Sequence, residues 1–254
     1  MELDFYNWML VFVRLGAFFL VLPFFSAVNF PVMMRIALAA LAALMISPQL
    51  PVFPVSHLDF LSLCGLMFRE VSIGLLLGFM GRIIFYAVDI AGLIIASELG
   101  LTMGQIFDPS SRQAEPVPGL ILSLLAVLTM LTLDLHHGLL LGFAKTFEVL
   151  PIGGGHLSPS LFELVVGRTA QIFSVALQIA APVMAVSFVI TVFFAIMSRA
   201  VPQMNVFAES FGVRIAGGLI VFGFTLQISA QYVANHLLRI PGDLMYLGQL
   251  LNGG

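Results

Sequence analysis

Asp134, His136 and His137, in the stretch LDLHHG, are the residues of this sequence whose types most invite chemistry: one carboxylate and two imidazoles within four positions. Such groups hold divalent metals or exchange protons. Their spacing argues against both. On an uninterrupted helix adjacent histidines point about 100° apart, unlike the i, i+4 pair of an HExxH metal motif. No cysteine, glutamate or third histidine stands at ligand spacing. The expectation is a satisfied cluster at an interface, with no metal and no cofactor. His57, His156 and His236 are scattered near expected helix ends. There is no GxSxG elbow and no GxxxxGK[ST] phosphate loop, and Lys145 is the only lysine. An intramembrane aspartyl pair needs two carboxylates in converging motifs, and Asp89 and Asp134 sit in nothing of that kind. No catalytic residue is assigned, and an enzyme is not expected.

A second set of polar residues raises a positioning problem. One long helical region, expected from about Leu58 to Phe107, carries Arg69, Glu70, Arg82, Asp89 and Glu98. At 100° per residue Arg82 and Asp89 share one face, and Arg69 and Glu98 share roughly the opposite one. Opposite charges on each face are too far apart along the axis to pair. A charge at the centre of a lipid-facing helix costs about 2.5–3.5 kcal/mol. Two readings follow. Either the helix breaks near Gly78 or Gly92 with its charges at a membrane surface, or neighbouring helices, including those of other subunits, supply the counter-charges.

The surrounding chain is strongly apolar. Of 254 residues 60% are hydrophobic and only 9% are charged, against about 25% charged in soluble domains. Mean hydropathy is +1.10. Too little charge remains to coat a surface facing water, so a bilayer, protein beside one, or both is the expected solvent. A net charge of −3 gives no electrostatic case for nucleic acid. Cys64 is the single cysteine, so no internal disulfide forms. Glu2 and Asp4 precede the first apolar run where a cleavable leader carries positive charge, so that run is expected to stay.

Charge-free windows run from Leu15 to Met34, Ile36 to Leu58, Pro116 to Leu133, Thr169 to Ser198 and Ile215 to Leu238. Each is near or above the roughly 18 apolar residues of a spanning helix. Pro23 breaks the first run, Pro31 starts a helix and Pro48 ends it. Further helices are expected from Pro118 to Phe147, from Ser160 to Arg199 with a kink at Pro182, and from after VPQMN to near Arg239. Nothing reads as strand, linker or repeat, so the chain is expected to be one all-α unit. The pairs Gly74/Gly78, Gly100/Gly104 and Gly138/Gly142 have the spacing that brings helices close. Glycine is frequent enough here that chance alone supplies about as many such pairs. Lys145 and Arg168 flank one loop, and Arg199 and Arg214 the next. The positive-inside rule therefore gives no orientation.

Three loops interrupt the apolar pattern: FDPSSRQAEPVPG, LPIGGGHLSP and SRAVPQMNVF. The first follows the long charged helix and opens with Phe107-Asp108-Pro109-Ser110. The second follows the histidine-containing helix at Leu150 to Gly154. The third centres on Pro202-Gln203-Met204-Asn205. In order and spacing these motifs, and with them essentially the whole chain, resemble the FliR/SctT family of type III secretion export-gate membrane proteins. After PQMNVF the family usually has glycine-phenylalanine-proline and then lysine. This chain has Glu209-Ser210-Phe211-Gly212-Val213-Arg214 instead, so the charge is kept at Arg214 and the proline is absent.

The resemblance implies an all-α integral membrane protein of long tilted helical hairpins, with FliP-like and FliQ-like parts, packed into a hetero-oligomeric helical export gate. It implies a single unit over residues 1–254, with N-terminal helices over about 1–150 and a C-terminal hairpin over 151–254. The loop 104–118 would project into the pore as a plug, formed by Ile106, Phe107, Asp108, Pro109, Ser110, Ser111, Arg112 and Gln113. Arg69, Glu70, Arg82, Asp89, Glu98 and Arg214 would be charges at helix or subunit interfaces. Pro202, Gln203, Met204 and Asn205 would set a tight turn, with Asn205 capping the last helix. The implied partners are FliP, FliQ, FlhB and FlhA, exported flagellar proteins in transit and membrane lipid. The implied place is the bacterial inner membrane at the flagellar basal body. A virulence-system gate, a small-solute secondary transporter and a membrane-embedded enzyme are the alternatives.

Overall fold

The computed structural model describes residues 5–22, 31–54, 59–102, 116–156, 159–201 and 205–253. Among these residues every element is helical: α1 (Phe5–Val21), α2 (Val32–Ile46) with a 3-10 turn (Ser47–Gln49), α3 (Phe60–Glu98), α4 (Val117–Thr132), α5 (Leu135–Val149), α6 (Pro159–Ala200), α7 (Val206–Leu237) and α8 (Ile240–Leu251). Four segments are long and apolar enough to cross a membrane: Val32–Gln49, Phe60–Glu98, Pro159–Ala200 and Glu209–Leu251. With 39 and 42 residues, α3 and α6 have about twice the roughly 20 residues that a perpendicular crossing takes.

The chain divides into two compact units. The first comprises Met1–Ile83, Asp134–Arg168 and Leu237–Gly254. Its centre is α1, whose Leu10, Val11, Leu15, Phe18 and Phe19 are buried. The α1 helix lies against α3 at a seam of small residues. A Cβ on Gly74 would overlap the Arg14 carbonyl and approach the Ala17 Cβ, and one on Gly78 would meet Val21 and the Phe18 carbonyl. The Gly74/Gly78 pair, which the sequence alone rates no better than chance, is thus a close helix crossing. On the other side of α1, Phe18 meets Phe143 of α5 with ring centroids 4.6 Å apart. Polar groups of α1 fix its surroundings: the Trp8 indole donates to the Ala40 carbonyl of α2 at 3.2 Å. Asn7 donates to the Pro51 carbonyl and accepts from the Phe53 N–H, each at 2.9 Å.

Two expectations for this unit change. The helix expected to run from Pro118 to Phe147 is broken: Leu133 and Asp134 form a turn, and Asp134 takes the left-handed conformation with φ 52°. Beyond Arg239 the chain continues as α8, which no charge-free window marks. Its Pro241 and Leu244 pack over Gly142, where a Cβ would stand 3.5 Å from each, and the apolar residues Leu244, Leu247 and Leu251 are buried.

The second unit comprises Ile84–Leu133 and Thr169–His236. Within it α3 continues unbroken past Gly92, so a break at Gly78 or Gly92 does not occur. Gly92 lies so close to Gly119 of α4 that a Cβ there would overlap the Gly119 backbone. The α3 helix ends at Glu98 rather than near Phe107, and the reason is local. The Leu101 N–H returns to the Ala96 carbonyl at 2.9 Å and the Gly100 N–H to the Ser97 carbonyl at 3.0 Å, the paired bonds of a Schellman termination. That motif needs a left-handed residue, and Gly100 supplies it with φ 73°. On α7, Gly217 and Gly218 admit Ile190 and Val183 of α6 and Leu99 of the α3 terminus.

Close crossings of this kind predict the outcome of single substitutions. Gly92→Val in purified, detergent-solubilised protein should lower the melting temperature by several degrees, since overpacking costs about 1–3 kcal/mol and 1 kcal/mol is worth roughly 2–4 °C at this size. Gly16→Ala, where a Cβ meets nothing within 4 Å, should leave it unchanged or raise it slightly. Equal melting shifts for the two would refute the close-packing argument.

Candidate functional site: a buried charge hub

Arg14 is the sole charged residue among the 17 of α1, and its side chain is wholly out of water. A buried guanidinium is tolerated only where its donors and its charge are matched. Here both are. Nε donates to Glu70 Oε2 of α3, which is buried as completely. Nη1 donates to the Leu150 carbonyl at 2.9 Å and Nη2 reaches the Pro151 carbonyl at 3.4 Å. The guanidinium carbon sits 4.2 Å from the centroid of the Phe147 ring, where the face of the ring favours a cation.

The second oxygen of Glu70 is used as well. Oε1 accepts the Gly153 N–H at 2.9 Å. The preceding residue, Arg69, donates from Nη1 to the Gly153 carbonyl at 2.5 Å. Two consecutive residues of α3 therefore hold both polar groups of one glycine. Gly153 is in the left-handed region with φ 76°, and a Cβ on it would meet the Phe53 ring at 2.7 Å. The LPIGGG stretch is thus more than a helix stop. Its first two carbonyls are ligands of a buried cation, and its first glycine is a ligand of a buried anion. Chemically the arrangement neutralises charge and joins α1, α3 and the 150–153 turn. It presents no nucleophile and no free base.

The remaining sequence-selected charges are placed separately. Arg82 Nη1 donates to the Val21 carbonyl of α1 at 3.1 Å. Asp89 accepts from Ser123 of α4 at 2.8 Å. Glu98 is half-buried at the last position of α3. Arg214 Nη2 donates to the Thr191 hydroxyl of α6 at 3.2 Å. Of the six, Arg69 and Glu70 converge on one site. Ile106, Phe107, Asp108, Pro109, Ser110, Ser111, Arg112 and Gln113 lie outside the described residues, as do Pro202, Gln203 and Met204. Asn205 directly precedes α7 at Val206.

The residue sequence reasoning passes over is Arg14, the centre of the hub. The signal was present: a single charge inside a helix otherwise free of charge requires a buried partner. What the sequence does not carry is which of several carboxylates that partner is.

The model of the family described as "Bacterial export proteins, family 1" matches residues 5–240. The Flagellar biosynthetic protein FliR of Bacillus subtilis (strain 168) is 29% identical over 230 residues, covering 89% of this chain and 88% of that protein. That of Escherichia coli (strain K12) is 29% identical over 246 residues, covering 96% and 93%. That of Aquifex aeolicus (strain VF5) is 26% identical over 228 residues, covering 90% and 88%. The matched span includes every residue of the charge hub.

Removing one partner of the hub leaves the other charge buried alone. Arg14→Met or Glu70→Met should each destabilise the solubilised protein by about 3–5 kcal/mol. The double substitution should recover part of that loss, because no unpaired charge remains, though the Leu150 and Pro151 carbonyls still lack a donor. Denaturation of the four proteins measures the coupling. Strictly additive losses would mean that Arg14 and Glu70 do not act as a pair.

Proposed function

Because the chain belongs to the bacterial export proteins, family 1, we propose that it is a non-enzymatic core subunit of the flagellar type III protein export gate. The observation that carries this reading is the family match itself, which takes in 5–240 and so includes all three loops on which the resemblance rests. The flagellar system is favoured over a virulence secretion system because the relatives cited above are flagellar by name.

In this reading the chain sits in the bacterial inner membrane at the flagellar basal body, assembled with FliP and FliQ and served by FlhB and FlhA. Its FliP-like and FliQ-like parts pack as tilted hairpins among those partners. The N-terminal helices to about residue 150 carry the loop 104–118, and the segment 151–254 forms a C-terminal hairpin. The loop closes the channel until an unfolded flagellar subunit displaces it. Pro109 and Pro116 limit its conformations and keep it from extending the helix before it, while Pro118 stands at the second position of α4. Asp108, Ser110, Ser111, Arg112 and Gln113 suit a wet lumen, while Ile106 and Phe107 provide an apolar seal. The turn at Pro202–Asn205 sets the angle at which α7 leaves. Arg69, Glu70, Arg82, Asp89, Glu98 and Arg214 hold helices and subunits in register.

Two measurements test the proposal. Co-expressed with its neighbouring membrane genes and examined by native mass spectrometry, the chain should appear in one particle with several copies of two small hydrophobic proteins. A lone chain or a homo-oligomer, with those proteins present but unbound, would overturn the reading. In that particle, deletion of Phe107 to Gln113 should leave assembly intact and raise ion conductance across a planar bilayer. Unchanged conductance would remove the plug assignment while leaving subunit membership standing.

A further inference from the structure

The break between α4 and α5 places a carboxylate at the turn and two imidazoles in the helix that follows. Asp134 turns the chain with its left-handed backbone, and His136 and His137 follow in the first turn of α5. The two imidazole rings lie with centroids 4.1 Å apart. One ligand atom from each of Asp134, His136 and His137 lies within 4.8 Å of the others. We propose that Asp134, His136 and His137 form a binding site for a borderline divalent transition metal ion, of which Zn2+ is the probe of choice. The proposal is independent of the export role.

Three observations carry it. The donor set of two imidazoles and one carboxylate is that of Zn2+, Cu2+ and non-haem Fe2+ sites, and not of Mg2+ or Ca2+. Nor do the groups satisfy one another: His137 Nδ1 stands 3.9 Å from Asp134 Oδ1, beyond hydrogen-bond distance, and Asp134 makes no side-chain capping bond to α5. Finally, His136 Nδ1 is shielded from solvent with no hydrogen-bond partner among the described residues. A shared cation would give the three groups a common partner.

The geometry is within reach of coordination. Around a tetrahedral Zn2+ with bonds near 2.0–2.1 Å, ligand atoms stand about 3.3 Å apart, so the cluster must close by up to about 1.5 Å. Asp134 and His137 are 80% and 69% exposed and are free to do so by side-chain rotation. The positive end of the α5 dipole opposes a cation here, which makes the carboxylate indispensable rather than ancillary. Three protein ligands leave at least one position for water or for a group from a partner.

The test uses the full chain in detergent with a histidine-free affinity tag, stripped of metal by chelation. Equilibrium dialysis against Zn2+ at micromolar concentration should load one ion per chain. Asp134→Asn keeps a residue that tolerates the left-handed backbone while removing the charge, and His137→Gln alters an exposed side chain. Neither should disturb folding, and each should weaken binding by about tenfold or more. His236→Gln should leave it unchanged. With Cu2+ as probe, electron paramagnetic resonance should show nitrogen couplings from two imidazoles in the native chain and from one in His137→Gln. Failure of the native chain to take up Zn2+, or equal affinity and stoichiometry in Asp134→Asn and His137→Gln, would overturn the assignment.

Discussion

A guanidinium that has lost all contact with water constrains everything near it. Arg14 is such a group, and the first unit is arranged around its demands. The Nε donor needs an anion, which fixes α3 against α1 at Glu70. The terminal nitrogens need carbonyls, which fixes the end of α5 at Leu150 and Pro151. Once Glu70 is committed, its other oxygen needs a donor, which draws in Gly153. Each requirement follows from the last, because an ion in a low-dielectric interior is costly until its hydrogen-bonding capacity is filled. A pair of this sort adds little net stability over an apolar substitute. What it adds is uniqueness of register: no shift of α1 along α3 keeps all these bonds. The glycines at 74 and 78 serve the same end, since the Arg14 carbonyl reaches the α3 backbone only where no Cβ intervenes.

Much of the architecture was legible from the sequence. Apolar windows and prolines sufficed for an all-helical membrane chain. The start of α6 at Pro159, the position of Asn205 before α7 and the end of α5 before LPIGGG fall within a residue or two of expectation. The misses share a cause. Hydrophobic periodicity reports how a segment prefers to face its surroundings, not where its backbone turns. In the run from Pro118 to Phe147 neither proline nor a helix-stopping glycine stands at Leu133 and Asp134, and a single aspartate does not by itself announce a turn. The end of α3 hangs on one glycine, Gly100, among several that lie inside helices without interrupting them. The α8 helix was missed because Arg239 closes the charge-free window, although IPGDLMYLGQLL has a proline at its second position and leucines that become its buried face.

The candidate site was half legible, and the half that was missed is instructive. Arg69 and Glu70 stood out because charges in an apolar helix must be answered. Arg14 met the same criterion more cleanly, being alone, yet it bounds a charge-free window and is easily taken for the window's edge. The carbonyls that complete the hub belong to Leu150 and Pro151, whose side chains carry no polar signal at all. Backbone ligands leave no trace in residue types.

Charge and exposure divide the long helices in a consistent way. The α3 helix carries ions along its length and is the most enclosed of the four membrane-length segments. Its central ions find partners within the chain, Arg82 at the Val21 carbonyl and Asp89 at Ser123. The α6 helix has no charge between Arg168 and Arg199, and its Phe173, Phe188, Phe193 and Ile196 lie bare. The same holds for Ile220, Phe224 and Ile228 of α7. Were α3 the bare helix, each ion near the bilayer centre would add about 2.5–3.5 kcal/mol. Were α6 immersed in water, its bare aromatic and aliphatic side chains would lose the burial that their type favours, at about 25 cal/mol per Å2. Lipid or partner protein must therefore cover α6 and α7, while α3 depends on its own chain. The central ions of α3 are met by their own chain, and the charge-free stretch of α6 is left for surroundings that need no hydrogen bonds.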